Sequence, residues 1–221
     1  MTYLTRFEFH SARREARRLL ASPSAIHGAV LAAFRDPPVG QSTGRILWRI
    51  DIDSHRSCLY ILSTERPDLT HLVESAGWSD GPGWATAEYD VVLEGLALGQ
   101  RWHFRLTANP TRSVRDLERP RSRRVGHVTA AQQLDWLVER GAKLGVSFLS
   151  EADSPQVLVT GRSSVGFRHE TAKLSLTIAR YEGVLIVEDP MLLRQSLLYG
   201  IGPGKAYGCG LMTIAPYRTI Q

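Results

Sequence analysis

The spacing of apolar and polar positions changes along this chain, and each change marks an element. Residues 2–10, "TYLTRFEFH", alternate and predict a first strand. "SARREARRLLAS" and "SPSAIHGAVLAAFRDPP" follow with helical character. Ser22 and Pro23 form an N-cap and N1 pair, so a second helix starts there, and Pro37-Pro38 closes it. "GRILWRIDID" and "HRSCLYILST" predict two strands joined by a tight turn near Asp53-Ser54. "DLTHLVESAGW" predicts a short helix and "WATAEYDVVLE" a fourth strand. The order βαββαβ is the split βαβ of a ferredoxin-like domain.

The same order then begins again. "GQRWHFRLTANP" alternates at Trp102, Phe104 and Leu106. "VTAAQQLDWLVERGAKLG" predicts an amphipathic helix with Leu134, Leu137 and Val138 on one face. "QVLVTGRSSVGFRH" and "AKLSLTIARYEGVLIVED" supply strands, with a break near Gly183. "PMLLRQSLLYG" predicts a helix with Pro190 at N1, and "CGLMTIAP" a closing strand. The expected fold class is α+β, with two tandem ferredoxin-like (βαββαβ, RRM-like) domains. Their expected bounds are residues 1–95 and 96–221, meeting at a short link around Leu96–Gly99.

Two stretches stand out from this pattern. "TRSVRDLERPRSRRVGH", Thr111 to His127, holds Arg112, Arg115, Arg119, Arg121, Arg123 and Arg124 against only Asp116 and Glu118. No hydrophobic period runs through it, so it reads either as a solvated loop or as a functional one. "GIGPGKAYGCGLMTI" places five glycines among eleven residues around Lys205. It is not a Walker loop, because Ala206 follows Gly204-Lys205. It is not a dinucleotide fingerprint either, and a strand rather than a helix follows it. A helix C-cap would need one glycine, not five.

Composition narrows the classes. A chain of 221 residues with 43% hydrophobic residues can bury a core in one large or two small domains. It carries no apolar run long enough for a membrane span and no basic-then-apolar leader. Cys58 and Cys209 offer neither metal spacing nor a disulfide framework, so a reducing cytoplasm is expected. The net charge of +5 rests on 24 arginines and three lysines. Arginine suits forked contacts with phosphate and stacking on bases.

The candidate chemistry is sparse. Seven histidines form no H-E-x-x-H pattern, no C-x-x-C or G-x-S-x-G motif exists, and no carboxylate cluster suggests a metal. His27 lies one turn inside the helix that starts at Pro23, about 100° round from Ile26 on a stripe of Ile26, Val30, Ala33 and Phe34. It therefore points to the edge of the buried face. The positive helix N-terminus disfavours the imidazolium, and a neutral imidazole can accept a proton. The same position also suits a packed or solvated histidine.

"FRLTANPTRSV", "HVTAAQQLDWL", "YEGVLIVED" and "GIGPGKAYGCGLMTIAP", with the N-terminal "YLTRFEF…ARREARRLLASPSAIHGAVLAAF", together resemble the CRISPR-associated endoribonucleases of the CasE family. The resemblance covers essentially the whole chain, and the glycine motif is its most specific part. It implies two tandem ferredoxin-like domains, which agrees with the repeat. It also implies metal-independent cleavage of CRISPR repeat RNA beside a hairpin, without a cofactor. The crRNA would be retained in Cascade with the other Cascade subunits. Carried over residue by residue, the resemblance makes His27 the catalytic group. Gly202, Gly204 and Lys205 then face RNA phosphates, and the six arginines grip the hairpin. Arg168 and His169 are weaker candidates for RNA contact. The family pattern has a tyrosine three residues before its histidine, and here that position is Ser24. The resemblance leaves open an RNA-hairpin-binding subunit that does not cut. A general RNA-recognition pair is less well supported, because the aromatic stacking motif of such domains is absent.

Overall fold

A four-stranded antiparallel sheet organises the first part of the chain in this computed structural model. The structure describes residues 1–35, 46–54, 56–80, 83–114, 123–148, 150–151, 154–169 and 172–217. It divides into two compact units, Met1–Gly95 with Lys205–Leu211, and Leu96–Gly204 with Met212–Gln221.

In the first unit the elements run β1 (Tyr3–Phe9), α1 (Arg14–Leu20), α2 (Pro23–Leu31), β2 (Leu47–Ile52), β3 (Ser57–Ser63), α3 (Thr70–Ala76), β4 (Trp84–Glu88) and α4 (Asp90–Glu94). The strand order is β2-β3-β1-β4, all neighbours antiparallel, as in a ferredoxin-like fold. Alternation in β1 sends Thr5, Phe7 and Phe9 inward and leaves Arg6 outside. The predicted apolar stripe is buried, though only Ile26 and Val30 lie on α2: these two, with Ala33 and Phe34 in the turn after it, join the core with Phe7, Phe9, Trp48, Leu59 and Ile61. Burying two such side chains contributes about 1.5–3 kcal/mol each, more than the roughly 1 kcal/mol of a helix cap. Packing therefore sets where α2 lies, and the cap sets where it begins. Ser22 is that cap, its hydroxyl accepting from the Ala25 N–H at 3.3 Å. Pro37-Pro38 lies outside the described residues, and the helix ends earlier, at Leu31.

The predicted fourth strand is shorter than its sequence suggests. It stops at Glu88 and the chain turns into α4. Tyr89, Leu93 and Leu96 are buried at helical spacing. The Asp90 carboxylate accepts from the Thr2 N–H at 3.0 Å, while the Tyr89 N–H donates to the Thr2 carbonyl.

The second unit holds β5 (Arg101–Ala108), β6 (Thr111–Val114), β7 (Arg123–Gly126), α5 (Ala130–Val138), α6 (Gly141–Leu144), β8 (Val146–Phe148), β9 (Ser150–Glu151), β10 (Ser154–Pro155), β11 (Val157–His169), β12 (Ala172–Val187), α7 (Pro190–Tyr199) and β13 (Met212–Pro216). The sheet order is β11-β12-β5-β13, with β8 pairing the far end of β12. This repeats the first unit's order, with its second strand split into β8 and β11. The two units are thus tandem ferredoxin-like folds.

Three local expectations are corrected here. The predicted amphipathic helix is two helices, and it turns Gln133, Trp136 and Leu137 inward while Val138 stays exposed. Gln133 is drawn in because its amide donates to the His127 carbonyl at 2.8 Å and its own backbone carbonyl accepts from the Tyr181 hydroxyl. Gly183 does not break β12. A Cβ there would lie 2.1 Å from the Gln156 carbonyl oxygen, so this glycine permits a close strand approach. The arginine-rich segment is not all loop, since its two ends pair as the antiparallel ribbon β6–β7. Both faces of that ribbon are largely polar, so no apolar alternation announced it.

Candidate RNA-processing site

His27 occupies the fifth position of α2 and is half-buried, with its Nδ1 withdrawn from solvent. Its neighbour comes from the opposite end of the chain. The segment Lys205–Leu211 belongs to the first unit, and its short 3-10 turn, Lys205–Tyr207, packs against α2 and β2. The Tyr207 ring stands 6.1 Å from the His27 ring, centroid to centroid, tilted by 57°. Lys205, half-buried, opens the same turn.

Two contacts seat this segment. Gly208 has φ +80°, and a Cβ on it would lie 2.6 Å from the Trp48 ring, so only glycine fits there without moving Trp48. Arg49 grips Asp51 through two hydrogen bonds of 2.7 and 2.9 Å, and its Nη1 donates to the Leu211 carbonyl at 3.1 Å. The arginine and aspartate side chains are only 2% and 6% exposed. The carboxylate fixes the guanidinium, and the guanidinium fixes the end of the segment. Cys209, on the same segment, is fully buried, and burial pushes its thiol up to about 12. It is a packing residue and not a nucleophile at neutral pH.

The glycine cluster thus divides between the units. Gly200, Gly202 and Gly204 lie in the second, and Gly208 and Gly210 in the first. All five have φ between +74° and +95°. At Gly202 a Cβ would meet the Trp136 ring at 3.0 Å, so that glycine has a packing reason of its own.

In the second unit the ribbon carries Arg112 opposite Val125 and Arg124 opposite Ser113. This register puts Arg112 and Arg124 on opposite faces of the ribbon. Arg123 lies in β7, and Arg168 and His169 end β11, paired with Lys173 and Ala172. Arg115, Arg119 and Arg121 lie outside the described residues. Among the described residues no group of three or more His, Cys, Asp or Glu side chains is placed to hold a metal ion. No helix among them is long and apolar enough to cross a membrane.

Sequence reading missed Tyr207 and the Arg49–Asp51 pair. The second was legible in principle. "WRIDID" is an alternating strand, which puts Arg49 and Asp51 on one face, where burial demands that they pair. Tyr207 had no such signal, because its partner stands 180 positions away along the chain.

Comparison with known proteins adds four findings. A family profile described as "CRISPR associated protein" matches residues 2–216. The CRISPR-associated endoribonuclease Cse3 of Thermus thermophilus is 29% identical over 222 residues, covering 97% of this chain and all of that protein. The Cascade subunit CasE of Escherichia coli is 30% identical over 128 residues, 55% of this chain and 61% of that one. A solved structure of Thermus thermophilus Cse3, bound to an RNA representing a pre-cleavage complex, matches with a TM-score of 0.81. It is 28% identical and covers 97% of this chain and 99% of that one.

Proposed function

The chain belongs to the CRISPR-associated protein family, and from that premise we propose that it is a metal-independent endoribonuclease. It cuts CRISPR repeat RNA next to its hairpin and retains the crRNA within Cascade, in the cytoplasm. The observation that carries this reading is the meeting of His27 with the Lys205–Tyr207 turn in one compact unit. RNA supplies its own nucleophile. His27 moves the proton between the 2′-oxygen, which attacks the adjacent phosphorus, and the departing 5′-oxygen. The products are a 2′,3′-cyclic phosphate and a free 5′-hydroxyl. Lys205 offers positive charge to the phosphorane as it forms. The arginines of the ribbon bind the stem by its backbone, because a paired A-form stem hides its base edges in a deep groove. Gly202 and Gly204 keep the loop backbone close to the RNA, and Arg168 and His169 extend the basic surface.

The test is incubation of the protein with hairpin RNA transcribed from the host's own CRISPR repeat, in EDTA. Cleavage to a cyclic phosphate end is expected. A 2′-deoxy nucleotide just upstream of the cut blocks it, even with magnesium present. Tight binding of an uncut, fully ribose hairpin would instead establish the non-cleaving alternative.

Two further outcomes follow from the site. Replacing Arg112, Arg123 and Arg124 together with alanine weakens hairpin binding and flattens the log K against log[salt] slope by up to about 3 units. An unchanged slope would show that the ribbon is only solvated. Ser24 sits at the second position of α2, beside the Ser22 cap, and a serine hydroxyl is a poor acid. Ser24→Ala changes single-turnover cleavage by less than about tenfold. A loss as deep as that of a His27 variant, in a folded protein that still binds, would make Ser24 a catalytic partner.

A further inference from the structure

A recess in the second unit lies beside the arginine ribbon and is lined by Arg112, His127, Trp136, Glu139, Arg140 and Gly202. Its volume is about 390 Å³. We propose that this recess binds one backbone phosphate of the RNA, with Arg140 and His127 as its specific contacts. The proposal rests on the RNA-binding reading above and adds to it a defined subsite within the second unit.

The Arg140 guanidinium is held in place before any ligand arrives. Arg140 donates from Nη1 to the Trp136 carbonyl at 2.6 Å, and its guanidinium lies over the Trp136 ring, 4.2 Å from the centroid. Trp136 is itself only 3% exposed and stacks on Tyr181. His127 is tied through its backbone, its N–H to the Pro110 carbonyl and its carbonyl to the Gln133 amide. Such anchoring removes much of the ordering cost that a long cationic side chain meets on binding. A guanidinium has five N–H donors, and the Trp136 carbonyl occupies one position of that fork.

The charge balance favours an anion. Arg112 and Arg140 both act on His127, and together with burial, the larger cause, they hold its pKa below the ordinary imidazole range. Glu139 and Asp135 act in the opposite sense but do not outweigh them. Burial likewise lowers Arg140. Among the described residues Arg140 forms no ion pair, and Glu139 is the one carboxylate that lines the recess. A phosphodiester entering here would compensate Arg112, Arg124 and Arg140, which all line the recess, and favour the protonated imidazole. Binding would therefore take up a proton, and affinity would rise as pH falls. The ligand is assigned as an RNA phosphate because Arg112 and Arg124 belong both to the recess and to the ribbon.

The experiment measures affinity for the repeat hairpin across salt and pH, using hairpins that each carry one uncharged methylphosphonate. Arg140→Gln is expected to weaken binding about tenfold or more and to lower the salt slope by about 0.7–0.9. One methylphosphonate position should erase the difference between Arg140→Gln and the wild type, and so identify the phosphate. Glu139→Gln, which leaves the Trp136–Arg140 stack in place, should tighten binding about twofold to fivefold. The wild type should bind more tightly at pH 6 than at pH 8, and His127→Gln should lose most of that gain. If no methylphosphonate position couples to Arg140 and Glu139→Gln binds like the wild type, the recess is ordinary surface and the proposal is wrong. Failure of the wild type to bind the hairpin at all would overturn the RNA reading itself, and the subsite with it.

Discussion

His27→Ala slows cleavage of the repeat hairpin by about two to four orders of magnitude, while hairpin affinity stays within a few-fold. The size is that expected for losing the proposed proton-transfer group. The unchanged affinity follows because the proposed binding groups are other residues. His27 lies on α2 in the first unit, whereas the arginine ribbon and the recess beside it belong to the second. Substitution is structurally mild, because the ring is half-buried at the edge of the α2 stripe and the core is held by Ile26 and Val30. Single-turnover cleavage alongside equilibrium binding separates the two quantities. A variant that cuts at the wild-type rate removes His27 from the mechanism. A variant that loses binding in the same proportion makes it an RNA contact and not a proton carrier.

Arg49→Ala destabilises the protein by about 3–5 kcal/mol, because it leaves the Asp51 carboxylate buried without its counter-charge. The side chains are 2% and 6% exposed, so water cannot replace the lost partner. The double change Arg49→Met with Asp51→Leu costs far less, since neither charge then remains in the interior. Urea unfolding of the three proteins measures this directly. A loss below about 1 kcal/mol in the single variant would mean that solvent reaches the pair. The folded double variant still cuts slowly, because the Leu211 carbonyl has lost its donor and the segment carrying Lys205 and Tyr207 is less firmly seated. Wild-type cleavage in that variant would show that this anchor does not matter to the site.

The local elements that burial and capping dictate were legible in the sequence. Ser22-Pro23 marked the start of α2, Ile26 and Val30 marked its buried face, Ala33 and Phe34 marked the buried turn after it, and the doubled βαββαβ order marked both sheets. Each of these depends on residues a few positions apart, where backbone geometry alone decides which side chains share a face. The glycine cluster around Lys205 also announced itself, because so many left-handed positions have no other residue to fill them. What those glycines meet was decided only in three dimensions. Gly202 faces Trp136, and Gly208 faces Trp48, which stands 160 positions earlier in the chain. The same holds for the ribbon β6–β7, whose strands lack an apolar face, and for the inward turn of Gln133, which follows from its bonds to His127 and Tyr181. His27 was visible as a candidate from its place on α2. Its pairing with Tyr207, and the seating of that turn by Arg49, depend on long-range packing that leaves no periodic trace in the sequence.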